Sequence, residues 1–249
     1  MFQAVRDAKC VKRVVLTSSI ASVRDGYAWE AEKTYGDNDW TDVNKKDCGT
    51  YCKSKTLAER AAWDFVDAIT EKEKRFELVV LNPTMVVGPV LCGTSSASTK
   101  LLTFLMNKEI PFIPGQHTGY VDVRDVAKAH VIAMTSREAA NKRFVLNTEC
   151  LWVTEIAEIL NKEFLHQGYT LPSFVAPYWM MWVYSFCNKT IATYLPTFYK
   201  PMLIDNTSML KVLKIDPIPI DKSLIDMAYT MIETGLIKKT PEYRGPPRK

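Results

Sequence analysis

The sequence predicts an α/β chain built on a parallel, doubly wound sheet, with a smaller helical lobe in its C-terminal part. Three observations carry that prediction. A short apolar run at residues 13–17, Arg-Val-Val-Leu-Thr, has no polar alternation and suits a strand buried on both faces. Residues 50–70 place Tyr51, Lys55, Ala58, Ala62, Phe65 and Ile69 along one helical face at spacings of four and three. A second apolar run at 76–81 stops at Asn82-Pro83, where proline removes a backbone donor and restricts the residue before it. Strand, long helix and strand form a crossover, and crossovers join parallel strands.

The remaining elements follow in order. Residues 2–9 suit the end of a helix, and residues 25–49 are polar, rich in Asp and Asn, and read as a long surface excursion with Trp29 and Trp40 as anchors. Thr50 is the expected N-cap of the helix that follows. Beyond Gly88-Pro89 come a small polar loop at 93–99, a helix near 100–107 and a proline-rich stretch at 110–115. A strand at 119–123 leads into a helix at 124–134, followed by a strand at 143–146. Helices near 153–164, 206–213 and 223–233 complete the chain.

Bulk properties narrow the function. With 249 residues, 47% hydrophobic and 24% charged, the chain has the composition of globular protein rather than a disordered one. Its net charge of +4 is mild and its basic residues are scattered, apart from Lys238-Lys239 and the tail at 244–249, so no nucleic-acid face is expected. The six cysteines include no C-x-x-C pair and the three histidines have no metal-ligand spacing, which points to reduced thiols, a cytoplasmic location and no metal. The charged N-terminus does not resemble a signal peptide. The apolar, aromatic stretch at 174–187 is too short to span a membrane, and reads as a buried or pocket-lining helix in preference to a membrane-surface contact.

The chemistry concentrates at the sheet's predicted carboxyl edge, where open α/β sheets bind ligands. A phenol ionises near pH 10, and an ammonium group one helical turn away favours its phenolate, which brings tyrosine towards useful acid–base chemistry. Tyr51 and Lys55 have that i, i+4 spacing. The strand before them ends in Thr17-Ser18-Ser19, whose hydroxyls are placed to hold a carbonyl oxygen beside the tyrosine. Serine, tyrosine and lysine together make a complete set for hydride-transfer chemistry.

Five segments then carry a family resemblance. Val11-Lys12-Arg13-Val14-Val15-Leu16-Thr17-Ser18-Ser19, Tyr51-Cys52-Lys53-Ser54-Lys55-Thr56-Leu57-Ala58-Glu59 and Leu81-Asn82-Pro83-Thr84-Met85-Val86-Val87-Gly88-Pro89 resemble successive signatures of the extended short-chain dehydrogenases/reductases, the NAD-dependent epimerase/dehydratase family. Residues 120–130 and 220–238 resemble later parts of the same family, and the likeness is strongest to its dihydroflavonol reductase and cinnamoyl-CoA reductase group. The resemblance implies a partial Rossmann-type sheet. Residues 1–90 would be the C-terminal half of a dinucleotide-binding domain, and residues 91–249 mainly a substrate-binding lobe, with 119–147 returning to the sheet. It also implies catalytic roles for Ser19 (with Ser18 as the second candidate), Tyr51 as proton donor and Lys55. Cofactor contacts would come from Tyr51, Lys55, Pro83 and Thr84, and the cofactor would be NADP or NAD.

The sequence departs from the family in one respect. Its ten glycines include neither G-x-x-G-x-x-G nor G-x-G-x-x-G, the turn that cradles a dinucleotide pyrophosphate. About one hundred residues carrying that turn and the first strands are expected to be absent. The expected activity is hydride transfer between a nicotinamide cofactor and a carbonyl or secondary alcohol, on an apolar or aromatic substrate bound near 93–99 and the aromatic stretch after Leu171. The alternatives are a same-fold epimerase, dehydratase or 3β-hydroxysteroid dehydrogenase, or an inactive remnant that binds a partner. A homodimer is the favoured assembly.

Overall fold

The computed structural model describes residues 1–25, 32–46, 48–93, 96–109, 111–188, 191–192 and 195–247. Trp29, part of the loop at 93–99, Ile110 and the last two tail residues lie outside the described residues. The chain divides into two compact units.

The first unit comprises Met1–Thr84, Asp125–Asn147 and Leu203–Asp216. Leu78, Val79, Val80 and Leu81 have no solvent exposure, and this run forms the centre of β3 (Glu77–Pro83). Strand β3 pairs in parallel with β1 (Arg13–Thr17) on one side and β6 (Arg143–Leu146) on the other. Helix α2 (Thr50–Asp67) makes the expected crossover between β1 and β3. Its residues Ala62 and Val66 pack with Phe76, Leu78 and Val80, while Phe2 and Val5 of α1 (Phe2–Ala8) cover part of the same cluster. Arg13 ties the sheet to α4 (Val123–Thr135): it pairs with Glu77 at 2.6 Å and donates to the Ala133 and Ser136 carbonyls at that helix's C-terminal end.

Four expectations for this unit are corrected. Strand β1 is half-buried rather than buried on both faces, because among the described residues it pairs only with β3 and so lies at the sheet's edge. Gly49, not Thr50, is the N-cap of α2, and no side chain caps that end. The buried stripe of α2 is Cys52, Thr56, Glu59, Ala62 and Val66, one step around from the predicted face, which leaves Tyr51 and Ala58 exposed. Strand β3 also continues through Pro83 instead of stopping before it. Odd-numbered residues of β3 bond towards β1, which has ended at Thr17, so the missing proline N–H removes no ladder bond, and Thr84 N still donates to Leu146 O at 3.0 Å.

Within the excursion at 25–49, the described residues 32–46 carry more structure than their polarity suggests. It contains β2 (Thr34–Tyr35), which pairs in parallel with β8 (Leu203–Ile204), and it buries Tyr35 and Thr41. Trp40 anchors it as expected, stacked on the Arg143 guanidinium with Cζ 3.7 Å from the ring centroid.

The second unit comprises Met85–Arg124, Thr148–Met202 and Pro217–Lys249. It has a sheet of its own: β5 (His117–Asp122) lies between β4 (Met85–Val87), parallel to it, and β7 (Glu149–Trp152), antiparallel. Residues 119–122 therefore join this sheet, while 125–147 belong to the first unit. Neither β4 nor β7 is legible in the sequence. Helices α3 (Ala97–Met106), α5 (Val153–Phe164) and α8 (Ile220–Glu233) bury Leu102, Leu105, Ile156, Leu160, Phe164, Leu224 and Met231 around Tyr120. The shorter α7 (Thr207–Lys211) belongs to the first unit.

Asp122 anchors the turn from β5 into α4. It has no side-chain exposure, is held by Arg124 Nη2 at 2.7 Å and accepts from Ser223 Oγ at 2.5 Å. Burial alone would raise its pKa, but the bonds from Arg124 and Ser223 outweigh that and hold it below the ordinary aspartate value. Gly88 sits against this turn at φ +122°, where a Cβ would lie 2.9 Å from Val123 Cγ1.

Candidate functional site

All five residues predicted from the sequence fall in the first unit, at the carboxyl ends of β1 and β3 and in the first turns of α2. Tyr51 is the second residue of α2 and is 61% exposed, so its phenol is open to a ligand. Lys55 stands one turn on, its Nζ 6.0 Å from the Tyr51 ring centroid.

After Thr17 the chain turns into a short 3-10 helix, Ile20–Ser22, because Ser19 caps it: Ser19 Oγ accepts from Ala21 N at 3.2 Å. That bond leaves the Ser19 hydroxyl proton available to a second acceptor. Ser18 is engaged differently, donating its hydroxyl to Glu59 Oε2 at 2.5 Å. The structure thus separates two serines that the sequence left as alternatives.

Glu59 is the residue that sequence reasoning missed. It is 1% exposed, two turns beyond Tyr51 on α2. Its Oε2 accepts from Ser18 and Ser22 hydroxyls at 2.5 Å each and from Asn82 Nδ2 at 2.8 Å, and its Oε1 accepts from Arg143 Nε at 2.5 Å. Asn82 Nδ2 also reaches Ser19 O at 3.2 Å. One carboxylate therefore ties the Ser18–Ser19 turn, the end of β3 and the start of β6 to the helix that carries Tyr51 and Lys55. The available signal was a charged residue at position 59 in the stripe Cys52, Thr56, Ala62, Val66, where a glutamate is rarely buried unless paired.

Pro83 and Thr84 close β3 beside this network, and both are buried. The Thr84 hydroxyl and backbone N–H both go to Leu146 O, at 3.1 and 3.0 Å. Thr84 therefore offers a ligand its backbone carbonyl and methyl group rather than its hydroxyl. At the other end of β6, Asp37, Trp40, Trp63, Arg143 and Ser208 line a cleft of about 530 Å³ that includes none of the predicted residues. Burial pushes the Asp37 carboxyl above its ordinary value, against bonds from Ser208 and the Val145 N–H and the charge of Arg143.

An exposed tyrosine with a lysine one turn on at the head of a crossover helix, and a serine turn at the end of the preceding parallel strand, form a Rossmann-type arrangement at the carboxyl edge of the sheet. No family model matches the chain. Among curated proteins it is 36% identical over 170 residues to the NADPH-dependent methylglyoxal reductase GRE2 of Saccharomyces cerevisiae, covering 63% of this chain and 49% of that protein. It is 37% identical over 175 residues to cinnamoyl-CoA reductase 1 of Arabidopsis thaliana, covering 70% of this chain and 48% of that one. The chain thus spans about half the length of the curated relatives it matches. Among solved structures, yeast methylglyoxal/isovaleraldehyde reductase Gre2 complexed with NADPH aligns with a TM-score of 0.69 at 27% identity, over 90% of this chain and 65% of that one. A nucleoside-diphosphate-sugar epimerase from Pseudomonas aeruginosa shares the fold alone, with a TM-score of 0.75 at 13% identity, over 95% of this chain and 72% of that one. Over the stretch that these relatives cover, the chain is similar to extended short-chain dehydrogenases/reductases.

Proposed function

We propose that this chain carries the catalytic residues of an NADPH-dependent carbonyl reductase, with Tyr51 as proton donor, Lys55 as its cationic partner and Ser19 as the hydroxyl that holds the substrate oxygen. One observation carries the reading. The open Tyr51–Lys55 pair and the Ser19 turn are joined through Glu59 into a single rigid body, so acid and oxygen holder keep a fixed relation.

The residues present fit the nicotinamide-ribose end of a dinucleotide. Lys55 stands beside an exposed phenol, where its ammonium group can meet ribose hydroxyls, and the carbonyl and ring of the Pro83–Thr84 segment are left for contact with the nicotinamide. None of the chain's ten glycines has the spacing that a pyrophosphate turn requires. When bound, NADPH supplies the hydride that reaches the carbonyl carbon. Ser19 donates to the carbonyl oxygen and orients it, Tyr51 passes its phenolic proton to the same oxygen as the alcohol forms, and solvent at the exposed ring restores that proton. The ammonium group of Lys55 stabilises the transient phenolate.

The test is a fluorescence titration of the 249-residue chain with NADPH, repeated on Lys55→Ala, followed by NADPH oxidation with methylglyoxal as probe substrate. Binding that weakens about tenfold or more in the variant, as the loss of one charge-assisted contact would predict, supports the reading. An unchanged affinity in Lys55→Ala, or no NADPH binding by the chain, overturns it.

A further inference from the structure

Helix α6 (Tyr178–Ser185) is apolar nearly all round, and a helix of that kind is normally buried or in contact with lipid. Here Met181 is its one buried residue, so of the sequence's reading of a buried or pocket-lining helix the buried alternative is corrected. Trp179 is 67% exposed, Trp182 50% and Phe186 73%, with Tyr178 and Val183 also exposed. At about 100° per residue, Tyr178, Trp182, Phe186, Trp179 and Val183 follow one another around an arc of roughly 140°. The Trp182 and Phe186 rings meet edge to face at 4.9 Å, so the face is continuous.

The charge pattern indicates what meets this face. Although the chain holds 28 acidic residues, none falls in residues 164–204, while Lys189 and Lys200 do. A segment that contributes no carboxylate of its own adds no repulsion towards a negatively charged surface. Its composition is that of a membrane interface: tryptophan and tyrosine bury their rings at the acyl boundary and keep their N–H and O–H groups among headgroups. Among the described residues no helix is long and apolar enough to cross a membrane, and α6 extends only about 12 Å, so it would lie along the surface. We propose that this aromatic face docks on the headgroup region of a bilayer containing anionic lipid. The proposal is independent of the catalytic reading.

The experiment is flotation of the full chain with phosphatidylcholine vesicles, with and without phosphatidylserine, beside the variant Trp179→Ser/Trp182→Ser/Phe186→Ser. The chain is expected to float with the anionic vesicles, more weakly at high salt, and the variant's partitioning to fall at least about tenfold. A thermal melt matching the parent's confirms that the variant is folded. Quenching of the parent's tryptophan fluorescence by brominated lipid tests the same contact without any variant. The proposal is overturned by failure to bind either vesicle, by equal binding of a folded variant, or by absent quenching. Lipid-free self-association that the same substitutions abolish would also overturn it, by assigning the face to a second copy.

Discussion

Removing the Glu59 carboxylate should be among the most damaging single changes in the first unit. In Glu59→Leu the Arg143 guanidinium, whose side chain is 8% exposed, keeps its bonds to the Asp37 and Asp39 carbonyls, its stacking on Trp40 and the longer-range attraction of the Asp37 carboxylate, but loses its ion-pair partner. Ser18 and Ser22 can redirect their hydroxyls to each other or to Ser19 O, and Asn82 still reaches Ser19 O. The buried cation that has lost its ion-pair partner therefore dominates the cost. Breaking one side of a buried pair costs about 3–5 kcal/mol, of order a thousandfold in the unfolding equilibrium, from a total that is typically about 5–15 kcal/mol. Arg143→Met should cost a similar amount by stranding the carboxylate. The double variant should cost less than the sum by about 2 kcal/mol or more, because neither charge is then left alone. Urea denaturation followed by tryptophan fluorescence measures this, with an expected drop in midpoint of roughly 1–2 M for each single variant at unchanged slope. Additivity of the two substitutions within about 0.5 kcal/mol would refute the view that Glu59 organises the site through Arg143.

Three further outcomes are expected. Tyr51→Phe should abolish NADPH-dependent carbonyl reduction while leaving the thermal melt within about 0.5 kcal/mol of the parent, since the ring is exposed and only its hydroxyl is lost; a variant that reduces methylglyoxal at the parent's rate would remove Tyr51 from the reaction. Asp122→Asn should destabilise the chain by roughly 2 kcal/mol near neutral pH. Folding lowers the Asp122 pKa below 3.8, so its stabilisation is complete above that value and is lost as pH falls through the folded value; melts at pH 7 and pH 3 should show the deficit shrinking in acid, and a pH-independent deficit would contradict the assignment. Gly88→Ala should cost about 1–3 kcal/mol from its φ of +122° and the 2.9 Å approach to Val123; adding Val123→Ala should recover only the contact part, and full recovery in a urea melt would mean the backbone is unstrained.

By itself the sequence determined what local periodicity and short spacing encode. The runs at 13–17 and 76–81, the helix between them and their parallel pairing were legible because each rests on neighbours a few residues apart. The Tyr51–Lys55 spacing was legible for the same reason, since i and i+4 face one side of any helix. Tertiary structure decided the rest. Which stripe of α2 is buried depends on what packs against it, and the packing turned Glu59 inward and Tyr51 outward. Ser18 and Ser19 are adjacent and chemically identical; the family resemblance ranks Ser19 first, while their different hydrogen bonds, Ser18 to a carboxylate 41 residues away and Ser19 as a cap, are visible only in the structure. Strands β4 and β7 are too short to show a period and exist through pairing with β5, up to 35 residues distant. The aromatic helix shows the same limit: its composition marks it as apolar, but whether an apolar surface is covered depends on the elements that the fold brings to it, and along α6 the fold brings enough to bury Met181 alone.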